Sequence, residues 1–324
     1  MATVFPTSGI LVCMTIAACF CVASAAAAAV ISVQVDPIFG DDSRCSSTLK
    51  CRSIAYAVQV FGASQVSLAS GIFNETTVNI KNVGSLVVSG VPSHTIFDCS
   101  LRQASKTTVT GPAFNISNST VTFTGITFQH CSNANGNGGA VSAVDSSIAV
   151  SHCRFFNCSA ANGGALSATA SDVVRLFLSV LNSTFIRNAA VGGVIGCLTG
   201  TQSIEPCSTW GGAVAAFEMS NVSVTGCTMV ENSALAAAPP QLQQNRTSQN
   251  AVAGGGCVSV LFQGNSSAST VYVSDNSFLQ CTVHVPGSSS ILVGNGIVCC
   301  CASVSLCCSC SCLTYLQDTV VQFR

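Results

Sequence analysis

The sequence predicts an all-β solenoid, one coil of strand-rich turns stacked around a single core, and three observations carry that prediction. A short pattern, apolar-x-apolar-x-x-x-x-Phe-x-x-(Asn/Cys), recurs five times between residues 120 and 281. Its copies anchor at Phe128, Phe155, Phe185, Met229 and Phe278, followed three residues on by Cys131, Cys158, Asn188, Asn232 and Cys281. Apolar pairs precede each anchor: Val121 and Phe123, Ile148 and Val150, Leu178 and Val180, Val222 and Val224, Val271 and Val273. Such alternation is the period-two signature of a strand with one buried face. A repeat array grows by adding turns to one core, so 324 residues read as a single domain.

Composition limits the partners. Only 7% of residues are charged, with eleven Lys+Arg against twelve Asp+Glu, so no basic patch can neutralise many phosphates and nucleic acid is set aside. One Trp and three Tyr leave few stacking platforms for sugars.

Taken in order, residues 9–22 form a short apolar run followed by Ala23-Ser24-Ala25, a small-x-small site, so residues 1–25 are expected to be a secretory signal peptide. The amino-terminal region lacks the usual Lys or Arg. Eight Asn-x-Ser/Thr sequons fit passage through a glycosylating pathway: Asn74, Asn115, Asn118, Asn157, Asn182, Asn221, Asn245 and Asn265. The expected location is extracellular or on the cell surface.

Residues 33–99 have a different character. Ile54, Ala55 and Val58 suggest a short helix facing inward, and strand-like runs follow at 65–69, 77–80 and 86–88. A helix sealing the first turn supplies the cap that a solenoid end needs. Residues 100–296 then hold the repeats. Anchor spacing grows from 27 and 30 to 44 and 49 residues, which places loops at 199–210 and 234–250.

In an oxidising compartment the body cysteines can pair. Cys45 and Cys51 close a small loop, and Cys197 and Cys207 bracket an insertion. Cys131 and Cys158 hold one template position in consecutive copies, about 4.8 Å apart in a parallel stack, a spacing that permits a bridge between turns. Residues 297–324 carry seven cysteines and read as an atypical tail. Its uncharged stretch 297–316 is open to four readings: a membrane span, a thiolate cluster, an acylated anchor, or an aberrant end replacing lost turns. Membrane association is expected through this tail alone.

Residues 36–99, with Gly71-Ile72-Phe73 and Ile96-Phe97-Asp98-Cys99 at strand ends, resemble the entry of pectin-lyase-like right-handed parallel β-helices. The body resembles the repeats of polymorphic outer-membrane proteins, marked by Phe-x-x-Asn and Gly-Gly-Ala-(Ile/Leu/Val). The second mark stands at Gly138-Gly139-Ala140-Val141, Gly163-Gly164-Ala165-Leu166 and Gly211-Gly212-Ala213-Val214. Degraded forms stand at Gly192-Gly193-Val194-Ile195 and Gly254-Gly255-Gly256-Cys257. The resemblance implies a single-domain right-handed parallel β-helix. It departs from the family where Cys replaces Asn in three copies, where Met229 replaces Phe, and where no membrane barrel follows.

Carbohydrate-active β-helices act through carboxylates on adjacent turns. Here the position two after the anchor reads His130, Asn157, Arg187, Glu231 and Gln280, a mixed solvent-facing set. Asp145 and Asp172 stand at unequal offsets, and the Asp41-Asp42 pair suits a turn before the cap helix. His130 and His152 are the histidines expected to approach one another across turns. No catalytic residue, metal ligand or cofactor site is assigned. The expected function is non-catalytic adhesion, binding of an extracellular protein or glycan, or extracellular structure. The alternatives are a polysaccharide lyase or glycoside hydrolase and a truncated gene product without independent function.

Overall fold

The computed structural model describes residues 30–104, 111–171, 176–192, 208–235, 252–262, 270–284 and 297–301. The chain is all-β, and its long sheets are all-parallel, as in a solenoid. Four walls make the coil: wall 1 has eight strands, wall 2 seven, wall 3 five and wall 4 seven. One turn runs Thr120–Thr124 on wall 1, Thr127–Gln129 on wall 2, Ser132–Asn137 on wall 3 and Val141–Val144 on wall 4. The next repeats it at Ser147–Ser151, Arg154–Phe156, Ser159–Asn162 and Leu166–Thr169. Each strand pairs with its equivalent one turn away, so residues of equal template position stack into columns.

The anchors form one such column. Phe128 pairs with Phe155, Phe155 with Phe185, Phe185 with Met229 and Met229 with Phe278. Ring centroids lie 5.0 Å apart for Phe128 and Phe155 and 4.7 Å for Phe155 and Phe185, both stacked. The stack begins two turns before the first copy of the pattern, at Phe73 and Phe97, whose centroids are 5.1 Å apart. Stacked pairs of this kind add about 0.5–1.5 kcal/mol beyond area burial.

Most of the short bends are built on one residue in the left-handed region. Between walls 2 and 3 these are His130, Asn157, Arg187, Glu231 and Gln280, with φ between 51° and 55°. Between walls 1 and 2 they are Gly125, His152, Asn182, Gly226 and Asp275. Asn82, Asn118, Asp145 and Glu218 do the same between walls 4 and 1. Non-glycine residues held there cost about 1–3 kcal/mol each. Their neighbours recover part of that cost. The bend lifts one N–H and one C=O out of the ladder; an inward Asn on the following turn takes both, and an inward Ser takes the N–H while its hydroxyl donates to a carbonyl of its own turn. Asn188 Oδ1 accepts from Cys158 N at 3.0 Å and its Nδ2 donates to Phe155 O at 3.2 Å. Asn232 repeats this with Asn188 N and Phe185 O, and the two amides bond at 3.0 Å. At the wall 1–2 bends Ser183 and Asn276 serve Cys153 N and Cys227 N, and at the wall 4–1 bends Ser119 and Ser146 serve Val83 N and Ser119 N.

The fourth bend needs glycine itself. Gly211 has φ +65°, and a Cβ on it would stand 2.1 Å from Val214 O. On Gly212 a Cβ would meet Gly256 O at 2.0 Å, because walls 3 and 4 close on each other there. Gly138-Gly139, Gly163-Gly164 and Gly255-Gly256 occupy the same bend on other turns. Gly192 does not: it follows the wall 3 strand Ala189–Val191, and the wall 4 strand of that turn is Val214–Phe217. Residues 193–195 of that motif lie outside the described residues.

The cap helix is Ile54–Gln59, with Ser53 Oγ accepting from Tyr56 N at 3.2 Å. The Glu75 carboxylate accepts from Ile54 N at 2.8 Å and Ala55 N at 3.3 Å, which suits the positive helix start. Its buried face is Ile54, Ala57 and Val58; Ala57 takes the place expected for Ala55, since a 3.6-residue period brings Ala57 and Val58 onto the face of Ile54. The runs expected at 65–69, 77–80 and 86–88 are strands Gln65–Leu68, Val78–Lys81 and Leu86–Ser89.

The loops are shorter than expected. Ser208–Trp210 is a strand paired with Val252–Gly254, and Ser233–Leu235 belongs to wall 3, with Ala234 fully buried. Residues 199–207 and 236–250 lie outside the described residues, as does the signal region 1–25. The tail boundary also moves: Ile297–Cys301 is a wall 4 strand in register with Val258–Phe262, so these residues continue the coil.

Replacing Gly212 with Ala is expected to abolish folding, whereas Gly84→Ala, at a site with nothing within 4 Å and no positive φ, should be neutral or slightly stabilising. Phe155→Ala should cost about 3–5 kcal/mol. Urea unfolding of the three variants measures all of this.

Candidate functional site

Wall 1 presents two outward columns that run the length of the coil without one charged residue. Thr122, Ala149, Ser179 and Ser223 stand in one; Ser67, Ser89, Thr124 and Ser151 stand in the other. All eight are half-exposed. They form a flat hydroxyl-rich lattice with a spacing of about 4.8 Å across strands and about 6.7 Å along them. Thr124 Oγ1 and Ser151 Oγ are 3.0 Å apart, a hydrogen bond between turns. Tyr272, 58% exposed, lies in the first column at its carboxy-terminal end.

A second feature is the bend between walls 3 and 4. On three successive turns the connection between the wall 3 and wall 4 strands, after Val191, Leu235 and His284, is longer than on the turns before, and the first two connections end in the paired strands Ser208–Trp210 and Val252–Gly254. Insertions that share one bend converge on one edge of a solenoid.

The carboxylates are scattered, with one exception. Asp145 and Glu218 occupy the wall 4–1 bend column with Ala170 between them, two strand spacings or about 9.6 Å apart by backbone. Offsets counted from the anchors hide this pairing, because one turn contains an insertion and the other does not. Asp145 borders a shallow groove with Val83, Asn118, Ser119, Thr120 and Leu176, and its carboxylate accepts from Ser171 N at 2.6 Å. Asp172 lies outside the described residues. Asp41 caps a 3-10 turn, and Asp42 accepts from Arg52 N, Ser53 N and Ser53 Oγ, so the pair closes a turn as expected.

The histidines part company. His130 sits at a wall 2–3 bend and His152 at a wall 1–2 bend, so they share no column. Instead His130 Nδ1 lies 3.2 Å from Asp98 Oδ1. Partial burial pushes the Asp98 carboxyl up, but hydrogen bonds from Ser100, Gln129 and His130 outweigh it and hold the group below its ordinary value. Asp36 behaves alike: burial opposes ionisation, while the Phe39 and Ile38 amides and Lys50 Nζ at 2.9 Å win. Arg187 and Glu231, neighbours in one bend column, form an exposed ion pair.

Cysteine pairing differs from expectation in one place. Cys45–Cys51 is a disulfide. Cys131 bonds Cys99, whose Cα lies 4.7 Å away, and not Cys158. Cys99 follows Phe97 by two residues and so reaches the same bend column from the turn below. Cys158 remains a buried thiol, pushed up to about 12 by burial; Cys153 is raised to about 11 and Cys227 is raised, for the same reason. A third bridge, Cys257–Cys281, joins the alanine position of the glycine bend to the last Asn/Cys position. Cys197 and Cys207 lie outside the described residues.

Six sequon asparagines are described, Asn74, Asn115, Asn118, Asn157, Asn182 and Asn221, and every one is exposed. Asn118, Asn157 and Asn182 are left-handed bend residues whose side chains point away from the core. Asn245 and Asn265 lie outside the described residues.

Among the described residues no three His, Cys, Asp or Glu gather where a metal could bind, and no helix is long and apolar enough to cross a membrane. No family model, no curated protein and no solved structure matches the chain.

Depressed carboxyls stabilise the fold above their unfolded pKa of about 3.9 and lose that contribution as pH falls through the lower folded value. Asp36→Asn and Asp98→Asn should therefore each lower Tm at pH 7 and flatten its fall below about pH 4, measured by thermal melts across pH. Peptide mapping after iodoacetamide treatment at pH 8 should find Cys153, Cys158 and Cys227 unmodified in native protein and modified in guanidinium.

Proposed function

We propose that the protein is a secreted or cell-surface binding scaffold without catalytic activity, serving adhesion or extracellular structure through wall 1. The observation that carries this reading is the pair of uncharged outward columns on eight successive strands, a face about 34 Å long by strand spacing. Such a face can meet a neutral extended partner, an extracellular protein or glycan, without burying an unpaired charge. Exposure of all six described sequons, and three disulfides among the described residues, support passage through an oxidising, glycosylating compartment. The Phe column and glycine bends support the likeness to polymorphic outer-membrane-protein repeats on a pectin-lyase-like coil.

The test uses tagged full-length chain expressed in a eukaryotic secretory host. It should reach the medium or the surface with glycan-dependent mass, and the secreted protein should bind cells or matrix of that host. Thr122→Lys with Ser179→Lys should weaken binding about tenfold while leaving Tm unchanged. Unglycosylated protein retained in the cytosol overturns the reading.

The enzymatic reading has one observation in its favour, the shared column of Asp145 and Glu218 beside a groove. Turnover on a panel of acidic and neutral glycans, abolished by Asp145→Asn or Glu218→Gln, would establish a polysaccharide lyase or hydrolase in place of the scaffold.

A further inference from the structure

We infer that wall 2 pairs face to face with wall 2 of a second copy of this chain, about a two-fold axis that runs along the strands midway between Thr184–Ile186 and Thr228–Val230.

Wall 2 carries an outward apolar stripe. Its inward anchors alternate with Phe156, Ile186, Val230 and Leu279, which stack in one outward column on four successive turns. The first three are half-buried, and Leu279 is 55% exposed. Wall 1 fills most of its outward positions on the same turns with Ser and Thr. Apolar residues scattered singly on a surface need no explanation, but four in one column form a contiguous patch about 14 Å long.

The charges on the rim of the stripe select the partner. Arg187 and Glu231 follow Ile186 and Val230 at the bend, stand on neighbouring turns and form an exposed ion pair. A two-fold axis along the strands between those turns exchanges the turns and preserves position along each strand. It sets Ile186 against the partner's Val230, Phe156 against the partner's Leu279 and Arg187 against the partner's Glu231. The two ion pairs then close into a square of alternating charge, each charge having one opposite charge beside it and another across the interface. On the other rim the same axis brings the exposed His152, with Arg154 two residues on, opposite the partner's exposed Asp275. A face with opposite charges side by side complements its own rotated image. A partner of one charge sign would meet a like charge at one of the two turns.

By strand spacings the stripe and its rims cover on the order of 300 Å² per copy, well under the roughly 800 Å² of a stable interface, so the dimer is weak and reversible. The rim asparagines Asn157 and Asn182, both exposed, stand opposite the partner's Gln280 and Gly226, and a glycan on either would lie between the copies. Pairing therefore requires both to be bare. It is independent of what wall 1 binds.

The test is sedimentation equilibrium of purified full-length chain from the secretory host over a range of concentrations, which should show a monomer–dimer equilibrium. Arg187→Glu and Glu231→Arg should each weaken the dimer about tenfold or more while leaving Tm nearly unchanged, since an exposed pair contributes little to folding. An equimolar mixture of the two variants should recover the dimer, because Glu at 187 and 231 in one copy then faces Arg at 231 and 187 in the other. An effect confined within one chain is not rescued by mixing. A wild-type chain that stays monomeric up to its solubility limit, a dimer indifferent to both inversions, or no rescue on mixing overturns the inference. So does a glycan mapped to Asn157 or Asn182 in the dimeric fraction.

Discussion

The fold depends on how the coil turns its corners. A parallel coil with short bends must take its backbone through the left-handed region once per bend, and each passage strands a donor and an acceptor. Among the described residues, twelve of the thirteen non-glycine residues with positive φ lie at these bends. What makes the arrangement tolerable is the inward polar residue of the following turn: Asn188 and Asn232 bond both stranded groups, and Ser119, Ser146 and Ser183 accept from the stranded N–H. Each turn is thus completed by the next, and no turn is self-sufficient.

The same dependence explains the sulfur in the bend column. Where Asn gives way to Cys, the amide pairing is lost, and two of the three replacements sit in disulfides, Cys99–Cys131 and Cys257–Cys281. These bridges flank the Asn188 and Asn232 pair along the column. A covalent link substitutes for the missing ladder at those turns, and Cys158 between them contributes as a buried, poorly acidic thiol.

A coil of this kind separates structure from recognition. Inward positions are held by apolar side chains and the bend amides, so the residues able to meet a partner stand on the outward positions. Wall 1 offers a regular neutral face, and the longest connections between described strands stand between walls 3 and 4, after Val191 and Leu235. Three of the acids, Asp36, Asp41 and Asp42, hold the turns that precede the cap helix.

The sequence by itself determined the coil: the Phe column, the alternating wall 1 pairs, the cap helix and the glycine bends follow from spacings of a few residues. Asn-to-Asn bonding between turns was also legible, since equal template positions must stack in a parallel array. What only the tertiary structure decided involves groups far apart in sequence whose offsets are not equal. Cys131 pairs with Cys99 rather than Cys158, Asp145 shares a column with Glu218, His130 meets Asp98 rather than His152, and Ile297–Cys301 joins wall 4. Insertions of different length shift the count between anchors without shifting the register of the walls. Position along the chain therefore ceases to measure position along the coil wherever a loop intervenes.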